Sequence, residues 1–268
     1  MSTKLGNKLD SWTRELLTEG RYVFTSKEAI LALKKSPIAV RASLRRLKAK
    51  GLIASPVRGF NVIIPPEYQR LGCLPPEQFI PDLMGFLGKP YYAGLLTAAQ
   101  FHGAAHQQPQ EFQVVTSQNR KRIMCGKVNI HFVAKSFAKD IPTISIKTPR
   151  GYLSISTLEM TAFDLMLYPH YAGGLSNVAT ILVELLEKMH PQKLVQAAKL
   201  VPDISTIQRL GFLLDKVLKK KNFALTLLSI VKRNARAFIP LVPSLPKKGA
   251  LVDKRWKVFI NMKIEPEL

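Results

Sequence analysis

The sequence predicts an α+β protein. An N-terminal winged helix-turn-helix spans residues 1–70, and a mostly antiparallel α+β domain with a helical C-terminal part spans residues 77–268. Three observations predict it. Two capped helical segments and a hairpin pattern lie between Phe24 and Ile64. Proline pairs at Pro65-Pro66 and Pro75-Pro76 mark a junction. Strand-length apolar runs between Glu111 and Ile155 then give way to helical periodicity as far as Val231.

The elements follow in order. Leu5, Leu9, Trp12, Leu16 and Leu17 have helical spacing, so residues 4–19 form a helix that Gly20 ends. Thr25-Ser26-Lys27-Glu28 is a capping box, in which a hydroxyl and a Glu three residues on satisfy the orphan amides of a helix start. Ser36 caps a second helix with Pro37 in its first turn, where a missing N–H costs nothing. That helix runs to Lys50 and stops at Gly51. Leu52–Ala54 and Phe60–Ile64 read as strands joined by a tip at residues 55–59, the wing. Beyond the junction, helices are expected through Phe79–Leu87 and Tyr91–His102. Strands are expected at 111–116, 121–124, 128–133, 143–148 and 152–155. Ser156 or Thr157 caps a helix ended by Pro169. Helices at 178–189, 191–200, 205–218 and 223–231 follow, then a last strand at 256–260.

Charge narrows the function. The chain carries 40 Lys and Arg against 18 Asp and Glu, a net charge of +22. Such an excess favours polyanionic partners. On the second helix Val40, Leu44 and Leu47 share the core seam, and Ile38, Arg41, Ala42 and Arg45 lie opposite. No acid interrupts residues 34–58. Arg at one-turn spacing among small residues suits the DNA major groove, where a guanidinium bonds a guanine edge bidentately. The candidate contacts to double-stranded DNA are Ser36, Ile38, Arg41, Ala42, Arg45, Arg46, Lys48, Lys50 and, at the wing tip, Arg58. The plain alternative is a solvated basic face. Agreement among caps, helix spacing, basic face and wing favours DNA. A second basic patch is expected from Lys216, Lys219, Lys220, Lys221, Lys232, Arg233 and Arg236. It belongs to a run, residues 216–257, with 12 basic residues against the single acid Asp253, interleaved with Phe223, Phe238 and Trp256. It suits DNA, RNA or an acidic protein surface, or it is simply solvated.

Catalytic chemistry is sparse. Glu159 and Asp164 are poorly in register for acid–base work, and the expected strands 121–155 carry no carboxylates to hold magnesium for a nuclease. His102 and His106 have i, i+4 spacing, but the helix should end near Gly103, so packing is the preferred reading over a metal. Neither Cys73 nor Cys125 has an activating base beside it, and two cysteines make no disulfide framework. No cofactor, metal or catalytic residue is expected. The longest apolar runs fall short of a membrane span, and the start Met1–Gly6 lacks a secretory apolar region, so a cytoplasmic protein without membrane contact is expected.

Five segments, taken in order, resemble the AbiEi family of bacterial antitoxins. They are Ser36–Leu47 with Lys50–Ile53, Tyr91–Gly103 with its closing His102-Gly103, the strand Gln113–Thr116, Ser154–Met166 with Glu159 and Asp164, and Gln208–Leu214 with Arg209-Leu210-Gly211. The resemblance spans roughly residues 12–215. It implies a non-enzymatic regulator that binds inverted repeats in its own promoter and represses its operon. It also implies that residues 77–268 are an antitoxin domain counteracting a nucleotidyltransferase-like toxin, in many members without a stable complex. By themselves Glu159 and Asp164 read as helix caps or as partners of Arg150 or Arg209. Two rivals stay open: a degenerate nuclease targeted by the winged helix, and a non-catalytic protein-binding adaptor. The tail after about residue 236 has no counterpart in the resemblance.

Overall fold

The structure is a computed structural model that describes residues 3–104, 109–136 and 138–267. The chain opens with α1 (Thr3–Thr18), β1 (Val23–Thr25), α2 (Ser26–Leu33), α3 (Pro37–Ala49), β2 (Ile53–Val57) and β3 (Phe60–Ile63). The strands form an antiparallel sheet ordered β1-β3-β2. Leu9 and Leu16 of α1, Phe24 of β1, Val40, Leu44 and Leu47 of α3, and Ile53 and Ile63 of the hairpin bury together as its core. The Trp12 ring stands edge-on to Phe24 at 5.2 Å. The capping box is present in full: the Glu28 amide donates to Thr25 Oγ1 at 3.1 Å, and the Thr25 amide donates to Glu28 Oε2 at 2.6 Å. Ser36 caps α3, its hydroxyl accepting from the Ala39 amide at 3.3 Å.

Two details depart from the sequence reading. Val23–Thr25, for which no strand was expected, is a third strand paired with Phe60–Val62. The hairpin tip is shorter than residues 55–59, because β2 continues through Ser55-Pro56 to Val57. A register shift between Ala54 and Val57 lets Pro56, which lacks an amide donor, sit in the strand. The turn contracts to Arg58-Gly59, with Gly59 at φ +90°, a conformation a two-residue hairpin turn needs and glycine supplies.

Further along come α4 (Ile80–Leu87), β4 (Tyr91–Ala93), α5 (Leu95–Phe101), β5 (Phe112–Thr116), β6 (Ile123–Cys125), β7 (Val128–Ala134), β8 (Thr143–Thr148) and β9 (Gly151–Ser156). The helical part holds α6 (Leu158–Leu167), α7 (Leu175–Lys188), α8 (Pro191–Ala198), α9 (Ile204–Phe212), which runs into a π-turn at Leu213–Val217, and α10 (Lys221–Asn234). Three short strands follow: β10 (Ile239–Pro240), β11 (Leu251–Asp253) and β12 (Val258–Ile260). The class is α+β as expected. The six-stranded sheet includes both parallel and antiparallel pairs. Its order is β6-β7-β5-β4-β9-β8; β5 runs parallel to β7 and β4 parallel to β9, while β6 and β7 are antiparallel. The cause is connectivity: β6 folds back as a hairpin on β7, so β7 lies beside β5 in the same direction. Tyr91–Ala93, expected as helix, is strand. Tyr92 is fully buried and Ala93 pairs with Ile155, and the helix starts only after Gly94, with Leu95 at φ 55°.

By compactness the chain divides into two units. One comprises Met1–Tyr92, Gln110–Lys139 and Ser145–Ser154; the other comprises Ala93–Pro109, Asp140–Ile144 and Ile155–Leu268. The division does not follow the proline junction at residues 65–76, which lies inside the first unit. There the Lys127 amide donates to the Leu71 carbonyl at 2.8 Å, and Gly72 packs against the backbone of Gly126. Arg150 also belongs to this unit. Its guanidinium lies 3.0 Å from the centroid of the Tyr22 ring, and its Nε donates to Gln78 Oε1.

Gly126 has φ +60°, and a methyl group there would collide with the Leu71 carbonyl and the Gly72 backbone. Gly126→Ala should therefore lose roughly 1–3 kcal/mol through overpacking, beyond the roughly 1–2 kcal/mol of left-handed strain. Gly20→Ala, at φ +75° with open space around it, should lose the strain alone. Urea unfolding of the two variants checks this; equal losses would refute the packing account. The capping box adds a pH signature. Burial alone would raise the Glu28 carboxyl, but its bonds to the Thr25 backbone and hydroxyl and to Arg21 outweigh burial and hold it below the usual value. A depressed folded value means stability that is fully present above about pH 4.3 and lost as pH falls through the folded pKa. Glu28→Gln should flatten the acid limb of stability against pH. An unchanged limb in the variant would rule the group out as a contributor.

Candidate nucleic-acid interface

The basic face of α3 is set by what its other face buries. Val40, Leu44 and Leu47 point into the core, and Ser43 is buried beside them with its hydroxyl on the Ala39 carbonyl at 3.1 Å. Arg41, Arg45 and Lys48, at one-turn spacing, are left outside and exposed. They line a groove of about 530 Å³ together with Ile38 of α3, Ser26 of α2, and Ser55, Arg58, Gly59 and Asn61 of the hairpin. Ile38 is 77% exposed. The Arg41 Nε donates to the Pro37 carbonyl at 3.2 Å, which fixes the stem of that side chain along the helix.

The structure thus brings together Ile38, Arg41, Arg45, Lys48 and Arg58. It does not place the other expected residues in the groove. Ser36 is the helix cap, Ala42 is half-buried and Lys50 is the exposed C-cap. Arg46 is half-buried, and its Nη2 donates to Ser43 Oγ at 3.1 Å, so it leans along the helix rather than into the groove. Asn61 is the groove residue that the sequence reading missed. It is 3% exposed; its Nδ2 donates to Ser26 Oγ at 3.2 Å and its Oδ1 accepts from Ser55 Oγ at 2.9 Å. The Ser26 amide donates to the Gly59 carbonyl at 2.8 Å. These bonds tie the hairpin to the start of α2 and so fix Arg58 relative to α3. The signal was available: a lone Asn inside the apolar run Phe60–Ile64 must find partners when buried.

The second basic run does not form one patch. Lys219, Lys220 and Lys221 sit at the N-terminal end of α10, and Lys232, Arg233 and Arg236 at or beyond its C-terminal end. A 14-residue helix separates them by roughly 20 Å. Lys216 lies 3.7 Å from Asp215 and 3.8 Å from Asp253, and Arg255 lies 3.6 Å from Asp215. Asp215 stands one residue before the run and had been left out of its charge balance. Phe223 and Trp256 are buried in the core, so only Phe238 of the three aromatics is exposed.

In the second unit two of the resembling segments meet residues from outside them. His102, Thr157, Glu159, Lys188, His190 and Lys193 all line one cavity of about 560 Å³. His102 Nε2 bonds the Ser156 carbonyl at 2.8 Å, Lys188 Nζ donates to the His102 carbonyl at 2.7 Å, and the buried Glu159 accepts from the His190 amide at 3.4 Å. Burial pushes the His102 imidazole below its ordinary pKa, against the raising effects of the Ser156 carbonyl and Glu159. Neither expected arginine partner turns to Glu159. Arg150 bonds Gln78, and Arg209 donates to the Pro240 carbonyl at 3.1 Å and to Ser205 Oγ at 3.1 Å.

The segment Gln208–Leu214 has a different role from the one its charge suggests. Gln208 Nε2 donates to the carbonyls of Ala237, Trp256 and Lys257 at 3.0–3.2 Å. Gly211 leaves the space that the buried Trp256 ring fills, and Trp256 Nε1 donates to Asp215 Oδ2 at 2.9 Å. One face of α9 and its π-turn therefore holds the C-terminal sheet. Among the described residues no group of three or more His, Cys, Asp or Glu side chains could hold a metal ion; His106 lies outside those residues. Cys73 and Cys125 are buried free thiols, and the Cys125 hydrogen bond, with burial, pushes Cys73 up. No described helix is long and apolar enough to cross a membrane.

Comparison with known proteins agrees with the resembling segments from Tyr91 onward. No curated protein matches the chain. The crystal structure of the RV2827C protein from Mycobacterium tuberculosis is similar in fold, with a TM-score of 0.63 at 14% identity, covering 92% of this chain and 90% of that one. Residues 92–216 match the AbiEi antitoxin C-terminal domain, which supports an antitoxin role in a toxin–antitoxin pair. That stretch, which holds the His102–Glu159 cavity and the α9 anchor, is similar to the C-terminal domain of the AbiEi antitoxins.

Proposed function

We propose that the chain is a DNA-binding antitoxin that represses its own operon through residues 1–70, acting as a winged helix-turn-helix, and counters its toxin through the AbiEi domain. The observation that carries the DNA reading is the groove itself. Two arginines, a lysine and an exposed isoleucine on one helix face meet an arginine from a hairpin turn. A recognition helix presents such residues to base edges while the wing holds the backbone. The acid-free run from Lys34 to Arg58 keeps the whole surface attractive to phosphates. The AbiEi match supports the antitoxin half. The resemblance points further, to inverted repeats in the promoter, a nucleotidyltransferase-type toxin, a cytoplasmic setting and a role without catalysis.

Binding of the purified protein to its upstream DNA, with and without groove substitutions, tests the reading. Arg41→Ala and Arg45→Ala should each cost roughly 1–3 kcal/mol of discrimination between operator and scrambled DNA while the fold survives. Operator selectivity that is intact in both variants would overturn base reading by α3.

Phosphate contacts separate by salt dependence. Lys48→Ala and Arg58→Ala should each reduce the slope of log K against log salt by about 0.9. Arg46→Ala should leave the slope alone, because that guanidinium is already committed to Ser43. A slope that falls equally for all three would show that exposure in the groove is not what selects the contacts.

A further inference from the structure

The C-terminal sheet is buried at the centre of one face, although Leu251, on that side of the edge strand β11, is 75% exposed. Trp256 and Val258 are fully buried, and the carbonyls of Trp256 and Lys257 are held by Gln208 of α9. Side chains alternate along a strand, so Phe259 points away from Val258, to the outer face. There Pro240, Phe259 and Val252 stand in register across the three strands, with Val252 45% exposed. Phe238, 42% exposed, lies 5.9 Å from Phe259, ring to ring. Lys247 Nζ stands 5.8 Å over the Phe259 ring, and Lys248, Lys254 and Arg236 are exposed nearby in sequence. The one acid of the segment, Asp253, is engaged: it accepts from the Trp256 amide at 2.8 Å and lies 3.8 Å from Lys216.

We propose that this outer face, with Phe238 and Phe259 at its centre and Lys247 and Lys248 at its rim, binds single-stranded nucleic acid by stacking bases on the rings and phosphates on the lysines. Flat sheet faces with central aromatics and basic edges do this because every base has a π-face and every linkage a negative charge. Duplex is a poor fit, since its bases are already stacked and paired. An acidic protein surface would match the cations of the rim but would leave the rings without a stacking partner. The face lies outside the residues of the AbiEi match and on a different unit from the α3 groove. The proposal therefore stands independently of the DNA reading.

The test uses the full chain carrying Arg41→Ala, Arg45→Ala, Lys48→Ala and Arg58→Ala, so that groove binding is removed. Fluorescence anisotropy is read with labelled RNA of about 12 nucleotides, the same sequence as single-stranded DNA, its duplex, and poly-glutamate of equal charge. The expected result is single-strand binding that exceeds duplex and poly-glutamate binding. Phe259→Ala should weaken it at least about fivefold, and Phe259→Trp should retain it. Should Phe259→Ala unfold, Lys247→Glu with Lys248→Glu gives the same reading from solvent-exposed positions. RNA bound more tightly than DNA would identify contacts to the 2′-hydroxyl; equal binding would identify stacking and phosphate alone, and both uphold the proposal. Absence of single-strand binding overturns it. So does binding indifferent to both the ring and the lysine substitutions, or poly-glutamate binding as tight as RNA.

Discussion

A buried polar group must find its partners inside the protein, because an orphaned donor or acceptor costs about as much as a whole hydrogen bond contributes. Both units are organised by that constraint. In the first, Asn61 is buried in a strand and is satisfied by Ser26 and Ser55. Its bond to Ser26 holds the hairpin to the head of α2, where Arg58 shares a groove with Arg41 and Arg45. In the second, Gln208 and Asp215 are buried on α9 and its π-turn and are satisfied by carbonyls and an indole N–H from residues 237–257. The polar requirement decides where each peripheral hairpin or strand docks; apolar burial then fills in around it.

Charge behaves differently from what its total suggests. A net charge of +22 says that a polyanion is a plausible partner but not where it sits. Local acids settle that. Lys216 and Arg255 face Asp215, and Arg21 pairs with Glu28 at 2.7 Å, so these cations are spoken for. Arg41, Arg45, Lys48 and Arg58 have no acid within their own segment, and the groove they share has a pronounced basic lining. Runs of lysine along a chain are therefore a weaker guide than cations left over once the fold has paired the rest. The split of the 216–257 run across the two ends of α10 illustrates this, since sequence adjacency is lost over the length of one helix.

What was legible in the sequence follows from range. Caps and periodicity act over a few residues, so Thr25 with Glu28, Ser36 with Pro37 and Thr157 before α6 could be read directly, and the helices they start are where the spacing put them. The seam of α3 was legible for the same reason, and with it the face that carries Arg41 and Arg45. Pairing between distant strands was not. Tyr91–Ala93 leads into the small-residue run that suits a helix, and its place between β5 and β9 makes it strand. Arg46 was expected as a DNA contact, but Ser43, one turn away and buried, accepts from its guanidinium. Pro56 argued for a turn, and a register shift in the hairpin absorbed it. The convergence of His102, Glu159 and His190 on one cavity depends on α5, α6 and α8 together and has no local signature.

The AbiEi match stops at residue 216, but the structure does not stop there as a folding unit. Gln208, Gly211 and Asp215 lie inside the matched stretch, and the groups that satisfy them, at Ala237, Trp256 and Lys257, lie beyond it. A glycine in mid-helix costs roughly 0.5–1 kcal/mol relative to alanine, and Gly211 has a reason to stay because the Trp256 ring occupies the space of its missing side chain. Remove the strands after α10 and the helix keeps a buried amide, a buried carboxylate and an empty groove. The features of α9 inside the match thus already specify that something packs on this face. In this chain it is a small three-stranded sheet that covers this face of α9 and leaves Phe238 and Phe259 on its other side.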